Sequence, residues 1–317
     1  MDDLAAAQDG DGAAFDRLVA PHRSELIIHA YRVLGSRADA EDAVQDAMLA
    51  AWRGLGGLRA RSALRAWLYT TTTRAALRAA ERAGPRLLSW EAATAADPGA
   101  ELADPVDRLW IDPLPTPADL SLRREHIELA WLAALQRLPP LQRAAVVLKD
   151  ALSFSSVEIA ALLDTSRPAV DSALQRARST LKGPSRSPAS GPSDADRAVA
   201  AEFARAFAEA DVDAVVALLA DDVRFTMPPL PAWFDGVSDV ASFLRHRVLA
   251  TPWRVSWIDD VNGHPALLGH QLHEGSWRRG AIMVLHIDAG AVRWIATFID
   301  PDLVARWPIP GGFTVDR

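Results

Sequence analysis

The sequence predicts a multidomain protein in which two all-α units precede a mixed α+β unit. Apolar residues recur at helical spacing over residues 1–83 and again over residues 121–182. Proline-rich segments at 84–120 and 183–195 follow these two runs. Beyond residue 195, helix-spaced segments lead into four strand-like runs with turn residues between them. The runs cover residues 253–261, 266–273, 277–287 and 291–299.

Composition sets bounds on the protein class. The chain has 317 residues, half of them hydrophobic, and contains no cysteine, which excludes disulfides, thiolate metal sites and a cysteine nucleophile. No apolar run reaches the roughly 18 residues of a membrane span. The acidic start, Met1-Asp2-Asp3, lacks the basic segment of a signal peptide. We therefore expect a cytoplasmic protein with no membrane contact, no metal and no other cofactor.

The formal net charge of −7 argues against a nonspecific nucleic-acid coat. Positive charge is nevertheless concentrated between Arg59 and Arg86, where seven arginines are opposed only by Glu81. This uneven distribution allows a local nucleic-acid surface on an acidic protein.

Residues 39–52 form the most regular helical pattern. Its apolar stripe is Ala40, Ala43, Val44, Ala47, Met48 and Ala51. Asp39 is the expected N-cap, and Glu41 and Asp42 suit the first turn of the helix. Periodicity alone indicates no more than an amphipathic helix.

The same residues read DAEDAVQDAMLAAW, which resembles the DAEDLVQETFLRAW helix of extracytoplasmic-function (ECF) sigma-70 factors. In that family, this helix grips the clamp helices of RNA polymerase. The resemblance implies core RNA polymerase as a partner, through the β′ clamp and the β flap. It implies that the core-polymerase-binding residues are Asp39, Glu41, Asp42, Gln45, Asp46 and Trp52.

The helix predicted from about Ser62 to Ala83 carries Arg74, Arg78 and Arg82 along one face, where they suit contacts with phosphates. Trp67 and Tyr69 suit stacking on unpaired bases, although a solvated stripe over packed aromatic rings fits the pattern too. The string RAWLY resembles the promoter-melting helix of the same family. Arg74 stands where that family has asparagine. The DNA-binding residues implied here are Arg65, Trp67, Tyr69, Arg74, Arg78 and Arg82.

Residues 84–120 are rich in proline and acidic side chains, which predicts a linker. In the family this segment joins the two sigma domains and threads the RNA-exit path of the polymerase. Trp110-Ile111-Asp112-Pro113 resembles the WLEP element of sigma factors that carry a C-terminal extension. An unstructured acidic spacer is the alternative.

Residues 121–182 contain two short helices joined by the turn Asp164-Thr165-Ser166, a pattern that predicts a helix-turn-helix. The turn Leu138-Pro139-Pro140 and the string VDSALQRAR resemble region four of sigma factors, although Asp171 and Ala173 replace basic residues. Promoter DNA is the expected partner. The implied DNA-binding residues are Ser166, Arg167, Asp171, Ser172, Gln175, Arg176 and Arg178.

After a flexible linker at 183–195, residues 196–317 show two helices, a strand, a helix and an antiparallel meander. This order, and the string DDVRFTMPPLPAWFDG, resemble the SnoaL-like branch of the ketosteroid-isomerase-like cone. The cone implies an apolar pocket for an unknown small ligand. Its candidate lining is Met227, Trp233, Phe234, Trp253, Trp257, Trp277 and Phe298.

Core packing is the alternative role for each of these side chains. The unit has no tyrosine, because the chain's two are Tyr31 and Tyr69. His246, His264, His270, His273, His286, Asp222 and Asp300 are candidate acid–base groups, but none stands in a motif that identifies a base. We expect no catalytic residue.

The predicted fold class is therefore two all-α sigma domains, the second with a helix-turn-helix, plus a C-terminal α+β cone of SnoaL-like type. The predicted domains are 1–83 (sigma region 2), 84–120 (linker), 121–182 (sigma region 4), 183–195 (linker) and 196–317 (SnoaL-like regulatory domain). The predicted function is a sigma factor that this last domain regulates in cis. The alternatives are an isomerase- or cyclase-type enzyme and a one-component DNA-binding regulator.

Overall fold

The computed structural model describes residues 3–106, 110–114, 128–181, 191–307 and 314–315. The chain divides into two compact units. Unit 1 joins Met1–Arg86 to Leu129–Ser187, and unit 2 joins Leu87–Glu128 to Pro188–Arg317. Positions 107–109 and 115–120 of the first predicted linker, positions 121–127 of the second helical unit and positions 183–190 of the second linker lie outside the described residues.

Unit 1 is built from helices. They are α1 (Asp3–Gln8), α2 (Gly12–Val19), α3 (Arg23–Leu34), α4 (Arg37–Gly54), α5 (Leu64–Ala83), α7 (Leu129–Gln136), α8 (Pro140–Val146), α9 (Ser156–Leu162) and α10 (Arg167–Thr180), with α6 (Ser89–Ala92) belonging to unit 2. A π-helical turn, Val147–Ala151, continues α8.

Helix α4 begins earlier than the sequence pattern suggested. Ser36 is the N-cap, and its hydroxyl accepts a hydrogen bond from Asp39 N at 3.4 Å. The prediction of Asp39 as N-cap was wrong. Serine is an equally good cap, and the extended backbone that a cap requires occurs at Ser36, directly after the left-handed Gly35. Asp39 lies in the first turn, where its carboxylate pairs with Arg86.

Helices α3 and α5 are joined through a buried histidine. Thr73 Oγ1 donates to Tyr69 O at 2.7 Å and lies 2.7 Å from His29 Nε2. Because the hydroxyl has only one proton, His29 Nε2 must be the donor and the ring is the neutral Nε2–H tautomer. Among the described residues, His29 Nδ1 has no hydrogen-bond partner. Burial lowers the pKa of His29 to about 3.

The helix-turn-helix forms as predicted from local signals. Ser155 and Glu158 make a capping box at the start of α9, and Asp164 takes a positive φ of 53° in the turn. Ser166 caps α10, with Pro168 in its first turn. The buried face of α10 is Val170, Ala173, Leu174 and Ala177.

One arginine holds the helices of unit 1 together. Arg143, in α8, is 2% exposed. Its guanidinium donates to Val33 O at 2.6 Å, to Leu135 O at 3.0 Å and to Leu138 O at 3.1 Å, and also to the backbone and side-chain oxygens of Gln136. Burial lowers the pKa of Arg143 to about 10, so it remains charged at neutral pH. Carbonyls from three chain segments thus converge on one cation.

Unit 2 is built on a seven-stranded sheet in the order β2-β1-β6-β5-β4-β3-β7. The strands are β1 (Leu219–Thr226), β2 (Trp233–Asp235), β3 (Trp253–Val261), β4 (His264–His273), β5 (Ser276–Asp288), β6 (Ala291–Phe298) and β7 (Thr314–Val315). Helices α11 (Asp194–Ala208), α12 (Val212–Ala217), α13 (Val237–Phe243) and α14 (Pro301–Ala305) accompany them. β1 pairs with β6 in parallel, and the other neighbours are antiparallel.

Both faces of this sheet are apolar. On β5, Ala281, Met283 and Leu285 belong to the inner core beneath the helices. The alternate residues Ile282 and Val284 are fully buried but lie outside that core cluster. Because side chains alternate between faces along a strand, Ile282 and Val284 mark a second, outer apolar face.

The described residues of the segment 87–114 pack within unit 2, although their composition predicted a linker. Ala96 and Leu102 pack against the inner core, whereas Trp90 contacts the outer face. Trp90 packs edge-on against Trp294, with ring centroids 4.8 Å apart. Leu114 N donates to Asn262 Oδ1 at 2.8 Å, and Trp233 Nε1 donates to Ala93 O at 2.9 Å. The buried apolar residues of the segment are Leu88, Trp110, Ile111 and Leu114.

The buried His29 predicts acid sensitivity. An unfolded histidine titrates near its ordinary value of about 6.5, so below that pH the unfolded chain binds a proton that the folded chain rejects. Lowering the pH from 7.5 to 5 should therefore reduce the free energy of unfolding by about 2 kcal/mol through His29.

Urea unfolding at the two pH values measures this loss. His29→Gln keeps a donor for Thr73 but cannot titrate, so the loss should shrink by that amount. The exposed His246→Gln is the matched control and should retain the full loss. An equal loss in His29→Gln and the wild type would show that His29 is not responsible.

Arg143 predicts a large stability effect. Arg143→Ala removes five hydrogen bonds to buried oxygens, and should lower the free energy of unfolding by about 3–5 kcal/mol. Urea unfolding followed by circular dichroism checks this. The matched control, Arg23→Ala, removes an exposed arginine and should change stability by about 0.5 kcal/mol or less. A loss at Arg143 as small as the control's would contradict its structural role.

Candidate polymerase- and DNA-binding surfaces

Helix α4 buries its alanine-rich stripe and leaves the opposite face exposed. Glu41, Asp42, Gln45, Asp46 and Trp52 all lie on that exposed face. Within the part of the chain that the structure describes, the side chains of Asp42, Gln45 and Asp46 take part in no hydrogen bond or ion pair. We call these three residues, with Leu49 and Trp52, the α4 strip.

Two of the predicted contact residues are engaged within the chain. Asp39 is half-buried and pairs with Arg86, and Glu41 accepts from Arg37 Nε at 2.8 Å. The sequence analysis missed Leu49, which is 49% exposed on the same face. Trp52 is 36% exposed and packs edge-on against Phe15 at 5.2 Å. An exposed leucine in a helix with a clear apolar stripe is a detectable signal of a binding surface.

Tyr69 lies in the core of unit 1. It is 1% exposed, and its hydroxyl lies 3.2 Å from Glu25 Oε2 and accepts from Arg65 Nη2 at 3.3 Å. Arg65 also donates to both oxygens of Glu25. Burial alone raises the pKa of Glu25, but hydrogen bonds from Arg65 and His22 outweigh it and lower that pKa. In this arrangement Tyr69 and Arg65 form a structural cluster.

The arginine stripe of α5 is exposed at Arg74, Arg78 and Arg82. Arg74 Nε donates to Leu162 O at 3.3 Å, at the end of α9. Trp67 is half-buried beside Gly54, where an added Cβ would lie 3.2 Å from Trp67 Cζ2. The stripe therefore exposes three guanidinium groups to solvent. One of them, that of Arg74, is hydrogen-bonded to the helix-turn-helix.

Helix α10 presents its polar residues as predicted. Ser166, Arg167, Asp171, Gln175, Arg176 and Arg178 are exposed, and Ser172 is half-buried. Arg176 Nη1 donates to Ser172 Oγ at 2.6 Å, and Arg167 Nε lies 3.6 Å from Asp171 Oδ2. The sequence analysis did not identify Lys149, which lines a groove beside α10 together with Gln175 and Arg178.

The residues predicted to line a pocket in unit 2 are divided between two faces. Met227, Phe234 and Trp253 belong to the inner core, with Trp257 packed against it. The remaining three, Trp233, Trp277 and Phe298, lie outside that cluster, so the structure does not bring the seven candidates together. Trp90 packs against Trp233, Arg254 lies over the Trp277 ring, and Phe298 is paired with the outer-face residue Ile282. Spacing alone does not distinguish two apolar faces.

Trp253 occupies the interior of the cone. Its ring packs against Phe207 at 5.8 Å, and Nε1 donates to Val248 O at 2.8 Å. Gly269 and Gly280 leave room for the ring, since a Cβ at Gly269 would lie 2.9 Å from Trp253 Cζ3. The interior is therefore filled by the domain's own aromatic rings at this point.

Three of the candidate acid–base groups, Asp222, Asp300 and His286, contact residues that do not belong to the inner core cluster. Asp222 is exposed and accepts twice from Arg293 at 2.8 Å, and Asp300 caps α14. His286 stacks on Trp294 at 4.1 Å, on the outer face. Burial lowers the pKa of His286 well below its ordinary value. Across the described ranges, no three His, Asp or Glu residues are grouped to hold a metal ion.

A search of the described helices finds none that is long and apolar enough to cross a membrane.

Family models match all three predicted modules. Sigma-70 region 2 matches residues 18–86, Sigma-70 region 4 matches residues 128–181, and a SnoaL-like domain matches residues 200–277. The crystal structure of the Mycobacterium tuberculosis ECF sigma factor SigJ covers 94% of this chain and 99% of its own, with a TM-score of 0.61 at 24% identity. The predicted fold class, helical sigma regions followed by a mixed-sheet SnoaL-like domain, is confirmed.

Relatives along most of the chain are sigma factors. The ECF RNA polymerase sigma factor SigG of Mycobacterium tuberculosis is 34% identical over 310 residues, which cover 92% of this chain and 82% of SigG. The probable ECF RNA polymerase sigma factor SigI of the same species is 25% identical over 291 residues, covering 88% of this chain and 91% of SigI. These relatives indicate a regulator of transcription rather than an enzyme. The chain belongs to the extracytoplasmic-function family of RNA polymerase sigma factors.

Proposed function

We propose the surfaces by which this sigma factor binds core RNA polymerase and directs promoter-specific initiation of transcription. The observation that carries the proposal is the α4 strip, in which Asp42, Gln45 and Asp46 stand beside Leu49 and Trp52. Exposed apolar side chains within a polar rim are typical of a protein-binding surface. The proposed partner of this strip is the β′ clamp. Because RNA polymerase and the chromosome are the partners, the proposed location is the cytoplasm.

The proposed upstream contact is α10. Its N-terminal part would enter the major groove, with Arg167, Asp171, Ser172, Gln175 and Arg176 towards the bases. Arg178 would contact phosphate, and Ser166 would contact DNA at the N-cap. On α5, Arg74, Arg78 and Arg82 would contact phosphates near the minus-ten element, with Trp67 beside them. Tyr69 and Arg65 would contact DNA near the minus-ten element only after their hydrogen bonds with Glu25 are broken.

Region four also offers apolar residues to solvent. Leu141 is 44% exposed at the start of α8, and Val157 is 60% exposed on α9. Neither side chain contributes to the groove beside α10. We assign them to the contact with the β flap, because an apolar side chain gains free energy when a partner removes it from water.

The C-terminal unit is proposed to regulate initiation by holding the linker. Residues 87–114 donate and accept hydrogen bonds along the unit: Ala96 N donates to Trp233 O at 2.8 Å, and Val106 N donates to Pro229 O at 3.3 Å. Arg247 Nη2 donates to Ala100 O at 2.8 Å. Trp90 and its aromatic neighbours add apolar contact.

The expected path of this segment through the polymerase requires it to leave the sheet. Each hydrogen bond and each buried side chain that holds it then raises the free energy of the polymerase-bound form. The proposed effect of the C-terminal unit is therefore inhibition in cis. We assign the unit no catalytic role, because Trp253 fills the interior where a substrate would bind and the candidates Asp222, Asp300 and His286 are engaged outside it.

Reconstitution tests the function directly. The purified chain should co-elute with core RNA polymerase and support run-off transcription from a promoter selected with the reconstituted holoenzyme. Failure to bind core would remove the proposed function. Binding of duplex promoter DNA without core, and no transcription with it, would favour a one-component regulator instead.

The α4 strip predicts a charge-sensitive contact. Asp46→Arg reverses charge at an exposed position that has no partner within the described chain, so folding should be retained. Affinity for core should fall by about tenfold. Fluorescence titration with labelled sigma factor measures it.

Asp16→Arg is the matched control, because it makes the same charge reversal at an exposed position on α2. Its affinity should equal that of the wild type. Equal affinities for Asp46→Arg and Asp16→Arg would show that α4 does not make the contact.

The linker contact predicts an activating variant. Trp90→Ala removes the ring that packs on Trp233 and Trp294, contacts that together contribute about 0.5–1.5 kcal/mol beyond area burial. The linker should detach more readily, and run-off transcription at limiting core should rise by about two- to tenfold.

Trp277→Ala is the control, since it removes an indole ring of the same unit that lies under Arg254. It should leave transcription unchanged. Limited proteolysis should show faster cleavage within residues 87–114 in Trp90→Ala only. Faster cleavage with unchanged transcription would show that releasing the linker does not raise activity. That result would contradict inhibition through the linker contact.

A further inference from the structure

An acidic residue stands on the helix that must approach DNA. Asp171 is exposed on α10, surrounded by Arg167, Gln175 and Arg178. A carboxylate near a duplex is repelled by phosphates, so its presence lowers affinity for every sequence alike. A helix that carries such a residue binds DNA tightly where the carboxylate interacts with a specific group on the DNA.

The packing of α10 fixes the direction of Asp171. Val170 and Leu174 are 2% and 5% exposed, which orients the carboxylate away from the core. It borders a groove of about 280 Å³ lined by Lys149, Ser156, Asp171, Leu174, Gln175 and Arg178. Asp171 is the fifth residue of the helix, and the N-terminal part of a recognition helix is the part that contacts base edges.

The ion pair that Asp171 makes with Arg167 contributes little to stability. Its partner Arg167 lies 3.6 Å away, and both side chains are more than half exposed. An exposed pair at this spacing contributes about 0.3–0.5 kcal/mol to a helix. Favourable interaction of a carboxylate with the helix dipole falls off within the first turn, and Asp171 lies beyond it.

An ionised carboxylate can only accept hydrogen bonds. In the major groove, the amino group N4 of cytosine is the donor with which aspartate and glutamate pair. On the proposed function of α10, we infer that Asp171 selects a cytosine in the upstream promoter element. Arg167, one turn earlier, offsets the phosphate repulsion that the carboxylate meets. One base position in the promoter preference of this sigma factor is therefore determined by the carboxylate of Asp171.

The test is selection from a duplex library randomised over the promoter length. Tagged holoenzyme reconstituted with the full chain retrieves bound duplexes, which are then sequenced. The wild type should favour cytosine at one upstream position about tenfold over other bases. Asp171→Asn should shift that position to adenine, because an amide both donates to N7 and accepts from N6. Asp171→Ala should lose the preference there and retain the rest of the motif.

Asp164→Asn is the matched control, because it removes one negative charge from the exposed turn before α10. It should leave every base preference unchanged. If Asp171→Ala binds more tightly to all sequences with an unchanged motif, the carboxylate acts only through charge and the inference is wrong. If the wild type binds core but Asp171→Asn keeps cytosine, the inference fails and the proposed function stands. If no chain binds core or enriches any motif, both fail.

Discussion

The buried guanidinium of Arg143 is the constraint on which unit 1 depends. A charge in a low-dielectric interior is tolerated only where its donors find acceptors, and Arg143 takes those acceptors from the end of α3, from α7 and from the turn before α8. These segments must therefore pack in one arrangement. Helix α10 packs against α8, so the position of the recognition helix follows from the same interaction. A residue inside a turn motif thus fixes the position of the surface that is proposed to bind promoter DNA.

The sequence predicted those elements whose signals are local. The helix-turn-helix around Asp164-Thr165-Ser166 and the strand from Trp253 to Val261 depend on neighbours within a few residues, and the structure has them. The cap of α4 illustrates the limit. Ser36 and Asp39 are both good caps, and the choice depends on the backbone beside Gly35. The core role of Tyr69 was equally undecided, because it requires Glu25, 44 positions away in sequence.

The sequence did not show which side chains share the core face of the sheet, and the reason is different. Alternation identifies the core face of a strand only when the other face is polar, and here both faces are apolar. Register shifts at Trp257, Gly269 and His286 also change which residues share a face. Trp233 and Phe298 were therefore grouped with Trp253 although they lie on the opposite side. The alternation of side chains between faces changes at a bulge. Because the sequence does not show where these bulges occur, it does not predict which face a residue occupies beyond one.

The outer face also explains why a proline-rich, acidic segment is folded. A sheet buried on both faces needs a cover, and Trp90 of this segment packs against Trp294 of the outer face. Leu88, Trp110, Ile111 and Leu114 are buried between prolines and carboxylates that remain compatible with water. The average composition of the segment does not reveal these four buried apolar residues.

The division between units falls after Arg86, whose guanidinium pairs with Asp39 of α4, while Leu88 is already buried in unit 2. One short stretch of backbone therefore connects a residue paired with α4, the helix proposed to bind polymerase, to the segment that packs within unit 2. A linker anchored in this way couples two modules through the chain itself, because a change in its anchoring also changes the freedom of the residues beside α4.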